Sequence, residues 1–140
     1  MIRNTLLGLM TVCIVLTGSL LSASEKMEGK AVEAALKWLA VVDESDYARS
    51  LQESAAYFKG AIKKDQWEQA MRGVREPLGK VITRTLKSAE HRTSLPGAPD
   101  GDYVVIRFET AFENKQAAIE TVTPMLEKDG SWRVAGYYIN

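Results

Sequence analysis

Residues 95–140 read LPGAPDGDYVVIRFETAFENKQAAIETVTPMLEKDGSWRVAGYYIN, and their pattern predicts three consecutive strands. From Asp102 to Phe112, β-branched and aromatic residues alternate with a period of two, which is typical of a half-buried strand. A second strand is expected from Gln116 to Glu127. Asp129-Gly130 predicts a hairpin turn, because glycine tolerates positive φ, and the last strand begins at Trp132. The pattern therefore predicts an antiparallel meander.

The preceding residues are expected to supply a first strand and the helices that cover the sheet. Alternation from Val81 to Ala89 predicts the strand. Apolar residues at spacings of three and four predict three helices, which run from Glu25 to Val42, from Asp46 to Gly60 and from Asp65 to Glu76. The predicted fold class is α+β, with three N-terminal helices packed on one face of a four-stranded antiparallel sheet.

The N-terminal segment has the pattern of a secretory signal peptide. Arg3 precedes an apolar run from Leu6 to Leu21, and the small residues Ser22-Ala23-Ser24 follow. We expect residues 1–24 to be cleaved near Ala23-Ser24, which leaves residues 25–140 as a single domain. The alternative is an uncleaved anchor, but the run is shorter than the about 20 apolar residues of a spanning helix. We expect a periplasmic or secreted protein that meets a membrane only during export.

Composition excludes several classes of function. The 18 Lys and Arg residues balance the 18 Asp and Glu residues, whereas nucleic-acid binders carry a basic excess, so we expect no nucleic-acid partner. The single cysteine, Cys13, lies inside the predicted signal peptide, and His91 is the single histidine. These residues are too few for a zinc site. With phosphate-binding and hydrolase motifs also absent from the sequence, we expect no metal and no cofactor.

Four ordered motifs carry a resemblance to a known family. They are PLG at Pro77–Gly79, LPGAPDGDYVV at Leu95–Val105, ETVT at Glu120–Thr123 and DGSWRVAGYYI at Asp129–Ile139. Together they resemble the bacterial secreted family called domain of unknown function 4019. The resemblance implies the nuclear transport factor two-like (cystatin-like) superfold, in which helices close the mouth of a curved sheet to form a cone. That superfold hosts isomerases, dehydratases and non-catalytic binders, so the resemblance implies a fold and no mechanism.

Two polar residues are candidates for catalysis. Glu120 is expected to share a strand face with Val122 and Leu126, and a carboxylate in an apolar cone would act as a general acid or base. Tyr138, expected on the same face of its strand as Trp132, would donate to a developing oxyanion. The alternatives are that Glu120 forms a structural ion pair with Arg107 or Arg133, or that it faces outward. We commit to no catalytic residue.

Large apolar residues are candidates for a ligand pocket, and the same residues also build ordinary cores. The pocket candidates are Trp38, Trp67, Phe108, Val122 and Trp132. The other face of the sheet is expected to carry Tyr103, Val105, Arg107, Glu109, Arg133 and Tyr137. This face is either solvated or the interface of a homodimer, because Tyr and Arg are favoured at interface cores.

The function expected from these observations is non-catalytic binding of a small ligand or a protein partner. The first alternative is an isomerase or dehydratase that uses Glu120. The second alternative is a structural interaction module whose cone is filled by side chains. The presence of a cavity would distinguish the binder and the enzyme from the structural module, since a filled interior leaves no room for a ligand inside the cone.

Overall fold

A computed structural model describes residues 22–140 of the chain. The helices are α1 (Ala23–Asp43), α2 (Tyr47–Gln52), α3 (Ala56–Ala61) and α4 (Lys64–Arg75), followed by a 3-10 turn at Glu76–Leu78. The strands are β1 (Val81–Arg92), β2 (Tyr103–Phe112), β3 (Lys115–Leu126) and β4 (Trp132–Ile139). The predicted signal peptide lies outside the described residues, apart from Ser22–Ser24. Within residues 22–140, no helix combines the length and the apolar character needed to cross a membrane.

The four strands form one antiparallel sheet in the order β1-β2-β3-β4, with the helices packed on it. This arrangement confirms the predicted α+β class and the meander. The Asp129-Gly130 turn is also confirmed, because Gly130 has a φ of 84° and the Glu127 N–H donates to the Ser131 carbonyl over 2.8 Å. Turn residues and strand periodicity therefore define the sheet locally.

The prediction of three helices was wrong, because the second one is divided into α2 and α3. Ser54 Oγ donates to the Ser50 carbonyl over 2.7 Å, and the Ala55 N–H donates to the Val134 carbonyl of β4 over 2.8 Å. The backbone at Ala55 is extended, with φ −57° and ψ 146°. The chain between α2 and α3 thus hydrogen-bonds to the edge strand instead of continuing a helix.

The core lies between α1 and the inward face of the sheet. Ala31 and Ala35 of α1 are fully buried, and their small side chains let the helix approach the strands closely. The inward residues of β2 and β3 that complete this core are Val104, Ile106, Phe108 and Val122. On β3, Glu120 is buried on this inward face together with Val122, as the alternation of the strand predicts.

A bulge in β4 changes which tyrosine faces the core. Val134 is opposite Pro124 and Tyr137 is opposite Val122, so β4 contains one more residue than β3 over this interval. The extra residue beside Gly136 reverses the alternation, as a bulge does. Tyr137 therefore packs against the core, whereas Tyr138 lies on the outer face with 52% of its surface exposed. The predicted faces of Tyr137 and Tyr138 were therefore wrong, because strict alternation along β4 does not allow for the extra residue.

Candidate functional site

The buried carboxylate of Glu120 is the centre of a polar network inside the domain. Its side chain is 0% exposed. Glu120 Oε1 accepts from Arg84 Nε at 2.7 Å and from Thr110 Oγ1 at 2.6 Å. Its Oε2 accepts from Arg84 Nη2 at 3.2 Å and from the Tyr137 hydroxyl. A carboxylate has about four lone-pair sites, so these hydrogen bonds use the full accepting capacity of Glu120.

Asp43, the last residue of α1, extends the network to the helices. It accepts from Arg84 Nη1 at 2.8 Å and from Arg84 Nη2 at 3.1 Å. Arg75 Nη2 of α4 donates to Asp43 Oδ1 at 2.8 Å. The chain of ion pairs Arg75–Asp43–Arg84–Glu120 therefore connects two helices with strands β1 and β3. We call these four residues the charged network, and its two arginines balance its two carboxylates.

Burial and the charges of the network shift the pKa values of Asp43, Arg84 and Tyr137. Burial opposes ionisation of Asp43, but hydrogen bonds and charge from Arg84 and Arg75 outweigh it and hold the pKa of Asp43 below 3.8. Burial also opposes the charge of Arg84, yet Asp43 and Glu120 raise its pKa above the ordinary value. Burial and the Glu120 charge raise the pKa of Tyr137, so its hydroxyl stays protonated and continues to donate.

Arg75 is the least satisfied member of the charged network. Its side chain is 5% exposed, and within residues 22–140 its Nε and Nη1 atoms have no hydrogen-bond partner. Its guanidinium carbon lies 5.1 Å from the centroid of the Phe112 ring. A cation over an aromatic face is attracted by the ring quadrupole, which partly replaces the missing hydrogen bonds.

The structure does not bring together the two catalytic candidates. Tyr138 is opposite Thr121 on the outer face of the sheet, whereas Glu120 points inward beside Tyr137. Glu120 forms an ion pair, as one alternative expected, but its partner is Arg84 rather than Arg107 or Arg133. Arg84 was not among the predicted partners. It alternates with Ile82 and Leu86 along β1, but both of those side chains are exposed, so the local pattern does not indicate that Arg84 has a buried partner.

Four of the five pocket candidates are buried in the core, and Trp132 packs against it partly exposed. Trp38 lies 6.2 Å from Trp67 and 5.2 Å from Tyr137, measured between ring centroids. Trp38 Nε1 donates to the Ser50 carbonyl at 2.8 Å and to Ser54 Oγ at 3.0 Å. Trp67 Nε1 donates to Ser50 Oγ at 3.0 Å. The tryptophan rings therefore fill the interior with their N–H groups satisfied.

Trp38 and Trp132 also border an open groove of about 730 Å³ between α1, α2 and β4. We call it the α1–β4 groove. Its apolar residues are Ala34, Trp38, Trp132 and Val134, and its charged residues are Lys30, Glu33, Lys37, Arg49, Glu53 and Arg133. A smaller cleft of about 300 Å³ reaches Asp43 and Arg75. Glu120 lines neither the groove nor this cleft.

The titratable side chains show little sign of metal chemistry. Across residues 22–140, no three His, Cys, Asp or Glu side chains are grouped in a way that could hold a metal ion. His91 Nε2 lies 2.7 Å from Asp102 Oδ1 where β1 ends and β2 begins, and both side chains are partly exposed. This pair joins the ends of two neighbouring strands.

Comparison with known families assigns the chain to one family. The model of the family described as "Protein of unknown function (DUF4019)" matches residues 34–137, which extend from α1 to β4. The chain belongs to this family. The matched range of the DUF4019 family contains all four residues of the charged network. Searches of curated proteins and of solved structures each found no significant match. Family membership confirms the resemblance of the motifs, while the cystatin-like superfold stays a prediction.

Proposed function

We propose that the protein is an exported, non-catalytic domain that binds a small amphipathic ligand in the α1–β4 groove. The observation that carries this proposal is the composition of the groove, in which tryptophan and aliphatic side chains lie beside charged ones. Its volume of about 730 Å³ is within the range of about 300–1,000 Å³ typical of small-molecule sites. Such a surface suits a ligand with an apolar body and a charged group.

The geometry of Glu120 supports binding over catalysis. A general base must reach a substrate proton at hydrogen-bonding distance. Glu120 is fully buried and already accepts four hydrogen bonds, from Arg84, Thr110 and Tyr137. The Tyr137 hydroxyl likewise donates to Glu120 and is not available to an oxyanion. These contacts favour a structural role for the carboxylate.

The filled interior favours a ligand site at the surface. Trp38, Trp67 and Tyr137 occupy the space between the helices and the sheet, where a ligand inside a cone would have to lie. The α1–β4 groove is open to solvent and needs no rearrangement of these rings. A structural interaction module, the remaining alternative, would leave this groove without a small ligand.

Binding can be tested with N-phenyl-1-naphthylamine, a neutral apolar probe whose emission rises when it leaves water. We expect saturable binding to the purified protein and loss of binding in Ala34→Trp, because the larger side chain fills the groove. Ala40→Trp is the matched control, since Ala40 is exposed on the same helix outside the groove. Unchanged binding by Ala34→Trp, or no saturable binding at all, would contradict the proposal.

Export is tested separately by the intact mass of the protein. The pattern of residues 1–24 supports cleavage, so we expect the periplasmic protein to begin at Ser24 or Glu25. Leu16→Arg places a charge in the apolar run, and we expect it to leave an uncleaved chain in the cytoplasm. A full-length mass for the wild-type protein would contradict export by a cleaved signal.

A further inference from the structure

The geometry points to a negatively charged ligand: we propose that the α1–β4 groove binds an amphipathic anion, with Lys30 and Arg133 as its binding cations. The negative group is a carboxylate, sulfonate or phosphate on an aromatic or aliphatic body. This inference rests on the proposed function, because it specifies the chemistry of the ligand in the same groove.

The charged side chains around the groove are unequal in number. Four are cationic and two are anionic, namely Lys30, Lys37, Arg49 and Arg133 against Glu33 and Glu53. The whole chain, by contrast, has a formal net charge of +0. The groove is therefore a local positive region on a neutral protein, and such a region attracts anions.

Both acidic side chains of the groove are already paired with a basic residue four positions away in the chain. Lys37 Nζ lies 3.1 Å from Glu33 Oε1 on α1, and both side chains are mostly exposed. Arg49 Nε of α2 lies 2.9 Å from Oε1 of Glu53, the residue that follows α2. Each pair neutralises itself, so neither carboxylate is available to the remaining cations of the groove.

Lys30 and Arg133 are the cations of the groove that its own carboxylates do not neutralise. Among residues 22–140, Lys30 forms no ion pair. Arg133 forms one long and exposed ion pair, with 3.8 Å between its Nη2 atom and Asp129 Oδ2 outside the groove lining, and its Nε donates to Ser131 Oγ at 3.2 Å. Lys30 lies on α1 and Arg133 on β4, so the two cations come from different walls of the groove. An anion bound between them would interact with both charges.

The apolar part of the ligand has a surface next to these cations. Trp132 precedes Arg133 on β4 and packs partly exposed against the core, and Trp38 borders the same groove from α1. A flat apolar body can stack on a tryptophan ring while its charged end stays at the solvated rim. Lys30 and Arg133 therefore determine the charge of the ligand, and the tryptophans determine its apolar character.

Two probes with the same naphthylamine body separate charge from apolar contact. These are 8-anilino-1-naphthalenesulfonate, which is anionic, and N-phenyl-1-naphthylamine, which is neutral. We expect the anionic probe to bind about tenfold more tightly at low ionic strength, as two exposed charge pairs allow. This preference should shrink in about 1 M salt, where charges are screened beyond about 3 Å.

Two variants test whether the preference for the anionic probe comes from Lys30 and Arg133. We expect Lys30→Gln and Arg133→Gln each to lower the affinity for the anionic probe by about threefold to fivefold. Neither variant should change the affinity for the neutral probe. Arg107→Gln is the matched control, because it removes one positive charge from the exposed outer face of the sheet. It should leave the affinity for both probes unchanged.

The outcomes distinguish failure of this inference from failure of the proposed function. Equal affinity for the two probes, with both lost in Ala34→Trp, would overturn the anionic ligand and leave groove binding intact. Anionic binding that is insensitive to both Lys30→Gln and Arg133→Gln would also overturn the inference. If neither probe binds, both the proposed function and the inference are overturned.

Discussion

Arg84 Nε donates to Glu120 Oε1 over 2.7 Å, and this bond connects edge strand β1 to β3 across the strand between them. Neighbouring strands lie about 4.8 Å apart, so only a long side chain on β1 can reach β3. Thr110 of β2 is opposite Arg84 and donates to the same carboxylate oxygen. Tyr137 of β4 also donates to Glu120, so one buried carboxylate connects all four strands of the sheet.

Replacing Glu120 by glutamine tests the structural role of this carboxylate. Glu120→Gln removes the charge that balances Arg84, so we expect it to lower the free energy of unfolding by about 3 kcal/mol, the usual cost of breaking a buried ion pair. Urea unfolding measures the change. Glu109→Gln is the control, because the paired side chains of Glu109 and Lys87 are each 56% exposed. Loss of this pair should lower the free energy of unfolding by at most about 1 kcal/mol. Equal losses for the two variants would contradict the structural role.

The neighbouring tyrosines provide a matched pair that tests the bulge in β4. Tyr137→Phe removes the hydroxyl that donates to Glu120. We expect the free energy of unfolding to fall by about 1.5–3 kcal/mol, which is typical of hydrogen bonds to charged groups. Tyr138→Phe should change stability by less than about 0.5 kcal/mol, since this ring is 52% exposed on the outer face. Thermal unfolding of both variants measures the difference, and the reverse order would place Tyr138 inside.

The ion pairs of Asp43 predict a dependence of stability on pH. Its pKa in the folded protein lies below its ordinary value of 3.8, so its contribution is full above that value and is lost as pH falls through the folded pKa. We expect Asp43→Asn to cost about 2 kcal/mol at pH 7, less than a fully buried pair would. Below about pH 3.9, near the ordinary aspartate pKa, the cost should shrink.

Urea unfolding of the wild-type protein and Asp43→Asn between pH 7 and pH 3 measures this convergence. Glu44→Gln is the control, because it changes the neighbouring carboxylate, which is exposed. We expect the difference in unfolding free energy between this variant and the wild type to be the same at every pH. An Asp43→Asn cost that is the same at pH 3 and pH 7 would rule out the proposed linkage.

Two glycines with positive φ differ in the space around them. Gly79 has a φ of 74° and a ψ of −160°, a region that is essentially restricted to glycine, and a Cβ there would lie 3.0 Å from Glu113 Cβ. Gly130 has a φ of 84° with open space around a Cβ. We expect Gly79→Ala to cost about 3 kcal/mol and Gly130→Ala about 1 kcal/mol. Equal denaturation midpoints for the two variants would contradict this difference, because movement of Glu113 would relieve the contact but not the backbone strain at Gly79.

The sheet could be predicted from the sequence because its signals are local. The alternation in β2 and the Asp129-Gly130 turn depend on residues that are adjacent in the chain, and both predictions were confirmed. The division between α2 and α3 depends instead on a hydrogen bond from the Ala55 N–H to the Val134 carbonyl. No helical periodicity reports a contact between residues so far apart.

The candidate site was only partly predictable for the same reason. An ion pair for Glu120 follows from its place on an inward face, but its partner Arg84 is determined by the register of three strands. The tyrosine beside it depends on one extra residue in β4, and Gly136 indicates a bulge without specifying how it changes the alternation. The groove between α1 and β4 brings together parts of the chain that share no local pattern.

The charged network also restricts how the helices can lie on the sheet. Apolar contact is non-directional, so α1 displaced along the sheet by one turn, about 5.4 Å, would still bury similar side chains. After that displacement Asp43 would no longer meet Arg84, and a desolvated arginine would lose one of its two carboxylates. The ion pairs therefore select one placement of the helical layer and disfavour neighbouring arrangements that the hydrophobic effect alone would not distinguish.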